Sequence, residues 1–195
     1  QVEIMGEGAA FRSPSIDLGL ATSMPLEKNG KGVNSQFTLN QGDTAVYVLR
    51  EIEPGGDCGV CLSREEAEER FRSTVDYWRR WLSQCRYQGR WRESVFRSAL
   101  VLKLLTYEPT GAIVAAPTAG LPEAIGGGRN WDYRFNWIRD SAFTLYAFLR
   151  LGFTHEADRY MAFLSRICSE SADGKFPLQT MYGIDGRKTL PEESL

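Results

Sequence analysis

Hydrophobic and polar residues change rhythm once along this chain. Up to about residue 56 the rhythm is short. Gln36-Phe37-Thr38-Leu39-Asn40 alternates polar with apolar, Gln41-Gly42-Asp43 supplies turn residues, and Ala45-Val46-Tyr47-Val48-Leu49 resumes the pattern. A period of two sends successive side chains to opposite faces of a strand, so this segment predicts a hairpin of an antiparallel sheet. Pro54-Gly55-Gly56-Asp57 then interrupts the pattern and marks a boundary.

From Ser63 the period lengthens. Ser63-Arg64-Glu65-Glu66 fits a capping box, in which hydroxyl and carboxylate satisfy free amides at a helix start. Ala67, Phe71, Val75, Trp78, Leu82 and Cys85 continue at steps of four or three, one apolar stripe on a helix of about six turns. This helix is expected to link the sheet to the later helices and to pack on both. A second helix fits Arg92 to Tyr107; it is apolar around much of its girth, which predicts deep burial. A third fits Asp140 to Leu151, stopped by Gly152. A fourth fits His155 to Ser169, capped by Thr154, with Ala157, Tyr160, Met161, Leu164 and Cys168 on its apolar side.

Between the second and third helices lies a long stretch, Glu108 to Arg139, rich in proline and glycine. Loops of that length inside a compact domain are usually functional. The stretch ends in RNWDYRFNWIRD, residues 129–140, which crowds four aromatics, three arginines and two aspartates into a dozen positions. Trp131, Tyr133, Phe135 and Trp137 fall on every second residue, with Asp132, Arg134 and Asn136 between them. That spacing predicts an extended segment with rings on one side and polar groups on the other. Arg139 and Asp140 stand at the mouth of the third helix.

Such a constellation suits a sugar. The C–H faces of a pyranose pack on aromatic rings, while its hydroxyls both donate and accept. A carboxylate accepts from those hydroxyls and a guanidinium donates to them. Three plainer readings stay open on the residues alone. Asp140 could be a helix N-cap, Arg134 and Arg139 could be structural ion-pair partners of Asp132 and Asp140, and the row of rings could be core.

Composition narrows the partners. A formal charge of -2 and a pI near 5.6 argue against nucleic-acid binding, which usually needs a basic excess. No apolar run approaches the roughly 20 residues of a membrane span, and no signal peptide is visible. Cys58-Gly59-Val60-Cys61 is a C-x-x-C, but Cys85, Cys168 and the lone His155 are too scattered to complete a zinc site. The surroundings lack the βαβ setting of a redox pair. Neither a metal nor another cofactor is therefore expected, and thiols left reduced point to a cytoplasmic protein. The chain opens on Gln1 without an initiator Met and closes mid-pattern at Glu193-Ser194-Leu195, so both ends are expected to be cuts from something longer.

The run AAPTAGLPEAIGGGRNWDYRFNWIRDSAFTLYAFLRLGF, residues 115–153, resembles glycoside hydrolase family 15, the glucoamylases, glucodextranases and bacterial trehalases. WRESVFRSALVLKLLTYEPTGAIV (91–114), GKFPLQTMYGIDG (174–186) and the linker-helix ending YWRRWLSQC are similar to the same family. The resemblance implies a mainly α fold with an N-terminal antiparallel β portion: a partial (α/α)6 barrel preceded by the end of a β-sandwich. It implies strands over 1–56, a linker and linker helix over 57–90, and the first barrel helices over 91–195. By position in the family's W-x-R-D motif, Trp137, Arg139 and Asp140 would line the pocket for the non-reducing-end glucose, with Tyr133 near the reacting carbon. Asn136 stands where bacterial relatives often carry Cys, and Ala119-Gly120 falls at a variable spot; neither touches the motif.

The implied activity is inverting hydrolysis of α-glucosides, whether glucan, oligosaccharide or trehalose, by a general acid and a general base set roughly 6.5–9.5 Å apart. The family's two glutamates lie well downstream of the motif, so no catalytic residue is assigned here, and Glu108, Glu123 and Glu170 match no catalytic motif. A partial barrel would leave apolar faces that invite a homo-oligomer. The alternative is a saccharide-binding or scaffold protein that reuses the pocket without catalysis.

Overall fold

The computed structural model describes residues 1–118, 123–128, 130–169 and 178–190. Ala119-Gly120, Glu170 and the first residues of the 174–186 motif lie outside the described residues. The chain divides into two compact units, Gln1–Trp78 and Arg79–Leu195.

The first unit is built on an antiparallel sheet in the order β1-β2-β3-β6: β1 (Val2–Met5), β2 (Gly8–Phe11), β3 (Asp17–Ala21) and, after β4 and β5, β6 (Val48–Ile52). Small residues are buried on both faces: Ala10 and Ala21 share one face with Gly8 and Gly19, and Ala9 is buried on the other. Small side chains let the 53–60 loop lie close on the strands. A Cβ added at Gly19 would stand 2.6 Å from the carbonyl oxygen of Cys58, so only glycine fits there. β4 (Glu27–Asn29) and β5 (Gly32–Asn34) form a separate hairpin around Gly30, whose φ of 58° is the left-handed conformation that an Asn-Gly turn provides.

Here the structure corrects the sequence reading. Residues 36–40 form no strand, and β6 pairs with β3 rather than with them. The turn at Gln41-Gly42 is present, but the Asp43 carboxylate accepts the Asn40 backbone N–H at 2.8 Å, locally and ahead of any ladder. The arms of that turn therefore diverge, and 48–52 pairs with the β3 edge instead.

α1 (Arg64–Leu82) opens on the predicted capping box. The Ser63 N–H donates to Glu66 Oε2 at 2.8 Å, and the Glu66 N–H donates to Ser63 Oγ at 3.2 Å. Its predicted stripe is buried only toward the C-terminal end, and Phe71 is exposed. The deepest side chain is Trp81, which the stripe omitted.

Trp81 anchors the helical unit. Its indole stacks on Phe153 with ring centroids 4.0 Å apart and meets Phe148 edge to face at 6.4 Å. Its Nε1–H donates to Glu156 Oε1 at 2.7 Å, and Lys103 Nζ reaches the same oxygen at 2.9 Å. α1, α2 (Arg92–Leu104) and α4 (Thr154–Ser169) are thus tied by one carboxylate that is only 2% exposed. Truncating a buried aromatic of this kind costs about 3–5 kcal/mol. α3 (Ile138–Leu151) ends at Gly152, whose φ of 99° turns the chain into Phe153 and lets its N–H return to Phe148 O.

Two helix predictions need rotation or reversal. α4 buries Glu156, Ala157, Tyr160, Phe163 and Ile167, while Met161 is exposed and Leu164 and Cys168 are half-buried. The face is turned by about one residue because Lys103 and Trp81 draw Glu156 inward. Thr154 is the first residue of α4 rather than its cap. α2 is largely exposed, with only Ala99 fully buried and Val101 and Leu104 facing outward. Apolar girth predicts burial only where neighbours exist on every side. Among the described residues no helix is long and apolar enough to cross a membrane. The fold is nonetheless the expected class: an antiparallel β portion followed by the helices of a partial (α/α)6 barrel.

Candidate functional site

The stretch before α3 is shaped by one aspartate. Asp132 Oδ1 accepts the Arg134 backbone N–H at 2.9 Å, and the Arg134 guanidinium grips both carboxylate oxygens, at 2.6 Å for Nη2 to Oδ2. The Arg134 hydrogen bond, above all, holds the Asp132 carboxyl below the usual carboxylate range. These contacts bend the chain at Tyr133-Arg134, so the segment is not extended throughout as its period of two predicted.

The bend gathers three of the four rings. Trp137 is 6% exposed, lies 5.8 Å from Tyr133 at an angle of 26°, and meets Trp131 edge to face at 6.0 Å. Its indole N–H donates to Asp132 O at 3.1 Å, which fixes the ring plane. Phe135 turns instead toward the Arg187 guanidinium, 6.0 Å from its centroid. The Tyr133 hydroxyl donates to Glu123 Oε1 at 3.5 Å.

The backbone around Trp137 is held on two sides. β7 (Asn136–Trp137) pairs antiparallel with β8 (Met181–Tyr182), and the Ile138 N–H donates to Thr180 O. Across from it, Ala115 and Ala116 donate to Phe135 O and Tyr133 O. α3 starts immediately, with Trp137 in the N-cap position and no side-chain cap. Asp140 is therefore inside the first turn and is not the N-cap. A carboxylate there is favoured by the helix dipole.

Arg139 and Asp140 pair with each other, Nη2 to Oδ2 at 3.0 Å, with side chains 63% and 35% exposed. The Arg139 guanidinium lies 5.4 Å from the Trp137 ring centroid. The four residues singled out in the sequence, Tyr133, Trp137, Arg139 and Asp140, thus form one contiguous group: a rigid ring, a second ring leaning on it, and an ion pair that reaches solvent. Such a group can pack the face of a flat ligand and bond its hydroxyls.

Asn136 was expected on a polar side and is instead fully buried. Its Nδ2 donates to Ile113 O and to Ser141 Oγ, both at 2.7 Å, and the Tyr160 hydroxyl donates to its Oδ1 at 3.5 Å. The available signal was an amide wedged between Phe135 and Trp137. The four cysteines are free, and among the described residues no group of three or more His, Cys, Asp or Glu could hold a metal ion. A groove of about 900 Å³ in the N-terminal unit is lined by none of the four site residues.

A family model for glycosyl hydrolases family 15 matches residues 89–195, the part that carries this group. The chain belongs to that family. Outside the matched range the likeness continues: the trehalase of Mycolicibacterium smegmatis is 38% identical over 195 residues, covering 97% of this chain and 29% of the relative. The trehalase of Thermoplasma acidophilum is 37% identical over 198 residues, covering 100% of this chain and 32% of the relative. The trehalase of Mycobacterium tuberculosis is 35% identical and covers 99% and 28%. The chain therefore spans about a third of the length of these relatives. No solved structure gives a significant match.

Proposed function

We propose that this chain supplies the glucose-holding part of an inverting α-glucoside hydrolase, with trehalose as the substrate. Arg139 donates to hydroxyl oxygens of the terminal glucose, Asp140 accepts from its hydroxyls, Trp137 packs beside the ring, and Tyr133 lies near the reacting carbon. The observation that carries this reading is a solvent-reaching Arg139–Asp140 pair set beside a buried, hydrogen-bonded indole. The trehalase names of the relatives favour trehalose over a glucan. Inversion needs an acid and a base roughly 6.5–9.5 Å apart; in this reading both belong to the part of the longer relatives that lies beyond the matched region, and none is assigned to this chain.

Arg139→Ala in the full-length gene product tests the assignment. Loss of two charge-assisted hydrogen bonds at about 1.5–3 kcal/mol each predicts a fall in kcat/KM on trehalose of roughly 10²–10⁴-fold. Unchanged kinetics would refute the role of Arg139. Trehalose binding without hydrolysis by the wild-type protein would replace the enzyme with a non-catalytic saccharide binder.

A further inference from the structure

The four sugar-facing positions lie on, or lean against, a single junction between β7 and α3. We infer that Asn136 is the positioning residue of that junction: by joining Ser141 across it, the amide sets the direction of Trp137, Arg139 and Asp140 toward a bound hexose. This rests on the proposed sugar-binding role and adds a residue that touches no sugar itself.

Asn136 and Ser141 bracket the segment Trp137-Ile138-Arg139-Asp140. Their side chains meet at 2.7 Å, closing the strand-to-helix corner from inside. Asn136 Nδ2 spends its second hydrogen on Ile113 O, and Ser141 Oγ donates to that same carbonyl at 3.3 Å. Ile113 O is therefore the fixed post to which both ends of the corner are tied. The Tyr160 hydroxyl from α4 completes the amide at its oxygen. Asn136, Ser141 and Ile113 are essentially without solvent exposure, so water cannot replace these bonds.

In this chain the position uses two donors and one acceptor on a short side chain, which an amide provides. A carboxylate of the same shape has no hydrogen to give to Ile113 O. Backbone pairing with β8 constrains Asn136 and Trp137 but ends at Ile138. Beyond it, the Asn136–Ser141 tie fixes the corner from which Arg139 and Asp140 project. A misplacement of even ~1 Å at a binding constellation can cost up to ~10²-fold.

The test uses D-glucose binding to the full-length gene product, read by intrinsic tryptophan fluorescence, with near-UV circular dichroism to show that each variant is folded. Asn136→Asp and Ser141→Ala should each weaken D-glucose binding by about tenfold. The double variant should lose no more than the weaker-binding single one, because both changes break the same network at Ile113 O. Glu156→Gln, which disturbs the fold elsewhere, should lower the unfolding midpoint and leave the affinity unchanged. Wild-type affinity in folded Ser141→Ala overturns the inference, as does a fully additive double variant. Should Asn136→Asp fail to fold, Ser141→Ala decides alone. Arg139→Ala separates the two levels. If it weakens glucose binding while Ser141→Ala does not, only the positioning role falls; if neither does, the sugar-binding reading falls with it.

Discussion

Lys103–Glu156 and Arg139–Asp140 are ion pairs of nearly equal length, 2.9 and 3.0 Å, in one helical unit. The first is enclosed, and its carboxylate oxygen also takes the Trp81 indole N–H. The second stands in solvent beside an indole. An enclosed pair is desolvated already, so its partners are committed to each other and a break leaves a charge stranded. An exposed pair has little mutual attraction to lose, about 0–1 kcal/mol, and can exchange its partner for a hydroxyl-rich ligand. The same chemistry therefore builds the unit in one place and remains available in the other.

The contrast breaks if the two pairs respond alike. The largest expected effect is at Glu156: Glu156→Ala should destabilise the protein by about 3–5 kcal/mol, measured by denaturant unfolding. A loss below ~1 kcal/mol would mean that the enclosed pair is no more structural than the exposed one. Replacing both partners, as Lys103→Met with Glu156→Leu, should recover only part of that loss, since no charge is then stranded but the Trp81 indole N–H still loses its acceptor.

Acid should act through the same carboxylate. Burial raises the Glu156 pKa, but hydrogen bonds from Lys103 and Trp81 more than offset it and leave the net value below the ordinary 4.5. Its stabilising contribution is thus complete above about pH 4.5 and is lost as pH falls from there through the lowered folded value. A stability–pH curve for Glu156→Ala should be flatter than wild type in that acid window. Parallel curves would remove Glu156 from the account.

Smaller effects sharpen the exposed side. Asp132→Asn removes the clamp on Arg134 and should cost about 1 kcal/mol in unfolding free energy. Arg139→Ala should shift it by no more than about 0.5 kcal/mol while its effect on trehalose turnover is large. A large stability loss with Arg139→Ala would make that pair structural after all.

Much of the helical frame was legible in the order of residues. The Ser63–Glu66 box forms as read, α1 runs on from it, and Gly152 stops α3 in the left-handed conformation that glycine accepts without penalty. The contiguity of Tyr133, Trp137 and Arg139–Asp140 came from their closeness in sequence. Harder to read was anything that depended on a partner far along the chain. Trp81 is buried by Phe148, Phe153 and Glu156, all more than sixty residues away. The strand that completes the sheet was misplaced because 36–49 alternates convincingly, while Asp43 spends its carboxylate on its own turn. Asn29-Gly30, a short-range hairpin signal, passed unread.

Sequence alone determined the local rules of this protein: the capping box that starts α1, the glycine that stops α3, and which residues crowd before α3. Those depend on backbone conformation and on neighbours a few residues apart. Tertiary structure decided which face of α4 turns inward, which charges are enclosed, and that Asn136 is a tie rather than a surface amide. Each of those outcomes is a competition between water and a distant partner, and only the folded chain brings the partner within reach.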